Sequence, residues 1–97
     1  MKLLFRPAAA ADLEEAWRWY EERRSGLGRE FLDEAEAAVR RILNAPHACA
    51  IVYKDRRRAL LERFPYSVVY RLVDEQVVVL AVVHAKRSPR VWRRRSS

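Results

Sequence analysis

His84 is the side chain best suited to move a proton, because an imidazole changes charge near neutral pH without a perturbed environment. It closes the apolar run Val77 to Val83. Arg63, Arg71 and Arg87 could supply fixed positive charge beside it. The guanidinium fork matches phosphates and carboxylates with two parallel bonds, so such a set could hold an anion while His84 transfers a proton. A second group is built for contact rather than for proton transfer. Arg56, Arg57 and Arg58 form one basic run, and Trp92 stands between Arg90 and Arg93. Trp92 could stack on a base, anchor a protein interface or close the edge of the core. Each residue also has a plain structural use. His84 could hydrogen-bond the tail, Arg63 and Arg87 could clamp that tail to a sheet, and the Arg56 to Arg58 run could be a solvated turn. Glu62 is a further candidate base. If the stretch around it is a strand, Glu62 and Arg63 point to opposite faces. His47 follows Pro46 and is assigned no role. The single cysteine, Cys49, excludes an internal disulfide and reads as a small half-buried residue in a reducing compartment. No His, Cys, Asp or Glu cluster has metal-ligand spacing, so no metal or other cofactor is expected.

The balance of charge narrows the partners. Lys and Arg number 20 against 13 for Asp and Glu, a formal charge of +7, and 17 of the 20 basic residues are arginine. Nine of the 13 acids fall between residues 12 and 36, whereas 56–58 and the tail from Lys86 to Arg95 are almost purely basic. Such a patch is the electrostatic footprint of a polyanion or an acidic protein. The longest apolar run has 7 residues. A membrane helix needs about 20, so no membrane partner is expected. The N-terminus lacks the apolar stretch of a secretory signal, and the expected location is the cytoplasm. At 97 residues the chain suits one domain.

Periodicity indicates how these residues are positioned. Lys2 to Arg6 reads as a short strand ended by Pro7. A helix follows from about Ala9, with Leu13, Ala16, Trp17 and Tyr20 on one stripe and Trp19 off it. Asp12, Glu14 and Glu15 are expected near its start, where the helix dipole favours acids, and Gly26 is expected as the C′ residue at its end. A second helix from about Arg29 to Leu43 returns antiparallel, burying Phe31, Ala35, Ala38, Val39 and Ile42, with Glu36 and Arg40 as an i,i+4 pair. Asn44 and Pro46 stop it. Ile51 to Tyr53 is a short extended piece. Arg57 to Phe64, Tyr66 to Val73 and Gln76 to His84 read as strands, the last apolar enough to be central and buried on both faces. The expected class is α+β in the order β-α-α-β-β-β. A helical hairpin packs on one face of a small, mostly antiparallel sheet, and the other face is left open, so that face or its rim is expected to be the working surface.

Three stretches carry a resemblance. The first is Pro7 with Asp12-Leu13-Glu14-Glu15-Ala16, Trp19-Tyr20, Gly26-Leu27-Gly28 and Phe31. The second runs from Arg57 to Arg71, and the third from Val79 to Pro89 with Trp92 and Arg93 behind it. In order, spacing and total length they resemble the RelE/ParE-type toxins of bacterial type II toxin–antitoxin modules, the plasmid-stabilisation proteins. The resemblance covers almost the whole chain and implies a single toxin domain over 1–97. It also implies a growth inhibitor neutralised by a cognate antitoxin, which the positive charge here suggests is acidic, in a homodimer or a heterotetramer with that antitoxin.

The resemblance leaves the target open. ParE-like members bind DNA gyrase and stall replication, whereas RelE-like members cut messenger RNA on the ribosome. For the second activity His84, Arg63 and Arg87 are the candidate catalytic set. For target contact the candidates are Arg56, Arg57, Arg58, Arg71, Trp92 and Arg93. RelE-like nucleases typically carry several strand lysines or a carboxylate–histidine set. Here Lys54 is the only lysine between the helical hairpin and the basic tail, and Trp92 stands where some relatives carry tyrosine, which tilts the reading toward gyrase binding. A member that has lost toxicity and only binds its antitoxin is the third alternative.

Overall fold

The computed structural model describes residues 1–95; residues 96 and 97 lie outside the described residues. The chain runs β1 (Lys2–Phe5), α1 (Pro7–Arg23), α2 (Leu27–Asn44), β2 (Ile51–Tyr53), β3 (Arg56–Leu60), β4 (Tyr66–Val73), β5 (Gln76–His84) and a single turn α3 (Arg90–Arg93). The sheet order is β1-β5-β4-β3-β2. β1 lies parallel to β5, and every other pairing is antiparallel. This is the expected helical hairpin on a mostly antiparallel sheet. The short extended piece 51–53 becomes an edge strand, so four strands follow the hairpin.

The elements differ from the sequence expectation where local chemistry outweighs pattern. α1 begins at Pro7 rather than Ala9, since proline carries a preset φ and lacks only an N–H that the first turn would leave unpaired. Asp12, Glu14 and Glu15 therefore lie beyond the first turn, which holds no acid. α2 also starts earlier than expected, at Leu27. Gly26 does not close α1 but is the N-cap of α2, at φ 89°, a left-handed conformation that glycine adopts without steric cost. Having no side chain, it cannot cap. The Glu21 carboxylate does so instead, accepting the N–H groups of Gly26 at 3.1 Å and Gly28 at 3.0 Å, where the helix dipole also favours an anion. Gly28 lets the helices approach, because a Cβ there would lie 2.7 Å from Trp17 Nε1. β3 stops at Leu60, not Phe64. Glu62 and Arg63 thus lie in the connection to β4, and the strand argument for opposite faces does not apply to them.

One irregularity in β5 decides which side chains face the helices. Val77 and Val79 belong to the helix-side core with Phe31, Ala38 and Ile42 of α2 and Tyr70 of β4. Strict alternation would add Ala81 and Val83 to that face. Instead Val82 joins it, while Ala81 and Val83 pack on the far face with Val69 and Trp92. The cause is a bulge. Tyr70 pairs with Val79 and Val69 with Ala81, which leaves Leu80 without an opposite residue. One extra residue turns every later side chain over, and His84 is thereby delivered to the helix side.

The far face is not open, which corrects the expectation. After β5 the chain folds back, and Trp92, only 6% exposed, covers Val69, Ala81 and Val83, with Val52 and Tyr53 at its margin. The tail is fastened across the sheet edge beyond Phe5, where β1 no longer pairs with β5. There Arg95 donates to the Leu80 carbonyl at 3.0 Å and forms a two-pronged ion pair with Asp12. Asp12 also accepts the Val82 N–H at 3.0 Å. Two backbone groups of β5 that lack a strand partner are satisfied by side chains instead. Among the described residues no helix is long and apolar enough to cross a membrane.

Candidate functional site

Of the three residues expected to act together, the fold brings two to one place. His84 and Arg87 line a cavity of about 310 Å³ between α1 and the end of β5. Arg63 is not among its lining residues. Its guanidinium Nε donates to Glu34 at 3.1 Å, and the Arg63 and Glu62 amides donate to the same carboxylate at 3.2 Å. These amide and guanidinium bonds hold the Glu34 carboxyl below the usual glutamate range, with the Arg63 amide the largest cause. Glu62 pairs with Arg41 across 3.5 Å. The 61–65 connection is thus pinned to α2, so Arg63 and Glu62 act as a clamp between layers.

The ring state of His84 follows from its neighbour. The Lys86 amide donates to His84 Nδ1 at 3.0 Å, so the neutral ring carries its proton on Nε2. That nitrogen can offer a hydrogen bond but cannot accept a proton. His84 also stands edge-on to Tyr66, with centroids 5.2 Å apart. The cavity is completed from α1 by Asp12, Glu15, Trp19 and Tyr20. Burial raises the Tyr66 hydroxyl above its usual range, and the nearby Tyr20, Glu15 and Asp12 add to the rise while Arg87 opposes it.

The expected contact arginines separate by strand parity. Arg57 pairs with Tyr70 on the helix side and donates to the carbonyls of His47 at 3.0 Å and Cys49 at 2.8 Å, so it fixes the loop after α2. Tyr70 donates to the Pro46 carbonyl at 2.7 Å in the same region, and burial pushes its hydroxyl far up. Arg56 and Arg58 lie on the far face. Arg56 is nearly buried, bound to Asp55 at 3.0 Å and to the Arg95 carbonyl at 3.1 Å. Arg71 reaches Asp55 at 2.8 Å. Arg93 sits 4.6 Å from the centre of the Tyr53 ring, with Lys54 at 5.4 Å from the same ring. Trp92 meets Tyr53 edge to face at 6.1 Å, so its ring is committed to the small core beneath the tail. Arg58 and Arg93 remain on the outside, where a foreign macromolecule can reach them. Among the described residues no group of three His, Cys, Asp or Glu side chains could hold a metal ion.

Sequence reasoning missed Glu15, Tyr20 and Tyr66 as cavity residues and the Asp12–Arg95 clamp. Asp12, Glu15 and Trp19 do recur at helical spacing, so one face of α1 was readable. Their meeting with His84 was not, because it depends on the bulge at Leu80.

With this geometry in view, the relatives can be compared. A family model described as the ParE toxin of the type II toxin–antitoxin system parDE matches residues 3–89. Toxin ParE2 of Mycobacterium tuberculosis is 35% identical over 79 residues, covering 80% of this chain and 75% of that protein, in both strains CDC 1551 / Oshkosh and H37Rv. The chain belongs to the ParE toxin family. This ParE-family chain also shares its fold with solved structures. It matches a chain of the chromosomal ParDE system from P. aeruginosa with a TM-score of 0.66 at 20% identity, covering 87% of this chain and 95% of that one. The isolated E. coli RelE toxin gives 0.62 at 24% identity, covering 93% and 89%. The E. coli RelBE toxin–antitoxin complex gives 0.63 at 23% identity, covering 89% and 98%. The ParE-family toxin is therefore a RelE/ParE-fold component of a type II toxin–antitoxin system.

Proposed function

We propose that this toxin stops growth by binding DNA gyrase in the cytoplasm as a single domain over 1–97, and that an acidic cognate antitoxin neutralises it. The observation that carries the reading is the state of His84. Its Nδ1 is occupied by the Lys86 amide, so the neutral ring has a donor to offer and is not itself the base, while Arg63 is held by Glu34. Transfer of a 2′-hydroxyl proton needs a free acceptor on the attacking side. Binding needs none, and it can use the outward Arg58 and Arg93 of the far face. Membership of the ParE family supports the same target. The excess positive charge supports an acidic antitoxin, whose association rate should fall as salt rises.

Induction from a tightly controlled promoter separates the alternatives. Gyrase binding predicts filamentation, induction of the DNA-damage response and, with purified gyrase, loss of supercoiling. Cessation of protein synthesis first, with cut transcripts that disappear in His84→Ala, would replace the proposal with the ribonuclease reading. Normal growth on overexpression of folded protein would replace it with a member that only binds its antitoxin.

A further inference from the structure

The cavity beside His84 has a composition that neither a simple cation nor a simple anion would satisfy. Its volume of about 310 Å³ lies at the small end of ligand cavities, which span about 300–1,000 Å³. Part of its wall is aromatic. Trp19 and Tyr20 meet edge to face with centroids 5.1 Å apart, and Tyr66 lies 6.0 Å from Tyr20. Trp19 is 48% exposed, a large apolar ring left at the rim, and Arg23 covers part of it at 3.7 Å. Among the described residues the Glu15 carboxylate has no hydrogen-bond or ion-pair partner. From the β5 end come the Arg87 guanidinium and the Nε2–H of His84. A bare cation would be repelled by Arg87, and a bare anion by Glu15. A ligand that suits both has a flat ring, a pair of adjacent N–H donors at one edge and an anionic group at the other.

We propose that this cavity binds one guanine nucleotide. The ring lies against Trp19, Tyr20 and Tyr66, the N1–H and N2–H donors meet the two oxygens of Glu15, and the phosphate meets Arg87 and His84. Guanine presents two neighbouring donors to a carboxylate. Adenine presents one donor beside a ring nitrogen that repels it, and uracil one donor flanked by carbonyls. The net charge of +7 favours a phosphate-bearing ligand over a neutral one. A free mononucleotide and a guanine within a single strand carry the same chemistry. The inference does not rest on gyrase as the target, since it concerns a different surface and is read on purified protein alone.

Titration of the full chain with 5′-GMP, followed by tryptophan fluorescence and calorimetry, tests it. Saturable quenching is expected, because Trp19 lines the cavity whereas Trp92 is buried; Trp19→Phe should lose most of the quench. 5′-AMP should bind at least about tenfold more weakly, the worth of one lost bond to a charged group. Glu15→Gln, an exposed and nearly isosteric change whose fold is checked by circular dichroism, should bring GMP and AMP to similar affinities. Arg87→Ala should weaken GMP more than guanosine. A thymidine oligomer with one guanine that binds tighter than GMP assigns the site to a strand, and equal or weaker binding assigns it to the free nucleotide. Absence of saturation at millimolar GMP, equal affinity for GMP and AMP, or an unchanged preference in folded Glu15→Gln would overturn the proposal. So would binding of a peptide ending in an aromatic residue without any response to GMP.

Discussion

Asp12 is where a single substitution should loosen the tail. Its carboxylate accepts the Val82 amide at 3.0 Å and grips Arg95 with both oxygens, and the two side chains are only 19% and 21% exposed. Removing it strands a backbone N–H of an interior strand and leaves a mostly buried guanidinium without its anion. Breaking a buried pair from one side costs about 3–5 kcal/mol. Here the fifth of each side chain that meets water places Asp12→Ala at the low end, about 3 kcal/mol. For a domain of this size each kcal/mol shifts the melting temperature by about 4–8 °C, so a fall of about 12–24 °C is expected. Asp12→Asn keeps an acceptor for Val82 and should cost about 1–2 kcal/mol. Arg95→Ala leaves the Asp12–Val82 bond and should cost less than Asp12→Ala. The double variant should be less destabilised than the sum of the singles by about 1–2 kcal/mol. Thermal and urea unfolding give these values. Trypsin reports the tail directly, because Arg90, Arg93 and Arg94 become cleavable when it lifts. An Asp12→Ala protein within about 0.5 kcal/mol of wild type, or strictly additive singles, would refute the clamp.

Trp92→Ala should destabilise by about 3–5 kcal/mol in urea unfolding, since it empties the centre of the far-face core; a cost of surface size would mean that the tail does not pack there. Gly28→Ala forces a methyl against Trp17 and should cost about 1–3 kcal/mol, partly recovered by Trp17→Leu, and a neutral result would mean that the helices can separate freely. Glu34 has a folded pKa below its ordinary 4.5, so its contribution is fully present above that value and is lost as pH falls through the lower, folded one. Stability measured from pH 7 down to pH 3 should therefore drop more steeply for wild type than for Glu34→Gln, and parallel curves would remove Glu34 as the anchor of the 61–65 connection.

Periodicity and composition sufficed for the helical hairpin, the long strands and their order, but not for the edge strand at 51–53 or the short helix at 90–93. The apolar stripes of both helices, the doubly buried run of Val77 to Val83 and the Asp74-Glu75 turn are local patterns, and local patterns are set by neighbours in sequence. The family was legible for the same reason, because its residues stand at fixed spacings along the chain. The placement of chemistry was not. A strand's facing depends on register against its partner, and the unpaired Leu80 reverses it between Val79 and Ala81. No alternation in the sequence marks that point, because the run is apolar throughout. The fate of the arginines was hidden for a different reason. A guanidinium looks the same in sequence whether it faces water or a carboxylate far along the chain. Only folding brings Arg95 to Asp12, Arg63 to Glu34 and Arg57 to the carbonyls of His47 and Cys49. The chain by itself determined that it would be a cationic helical hairpin on a sheet. Long-range pairing decided which of its charges hold the fold and which are left to meet another molecule.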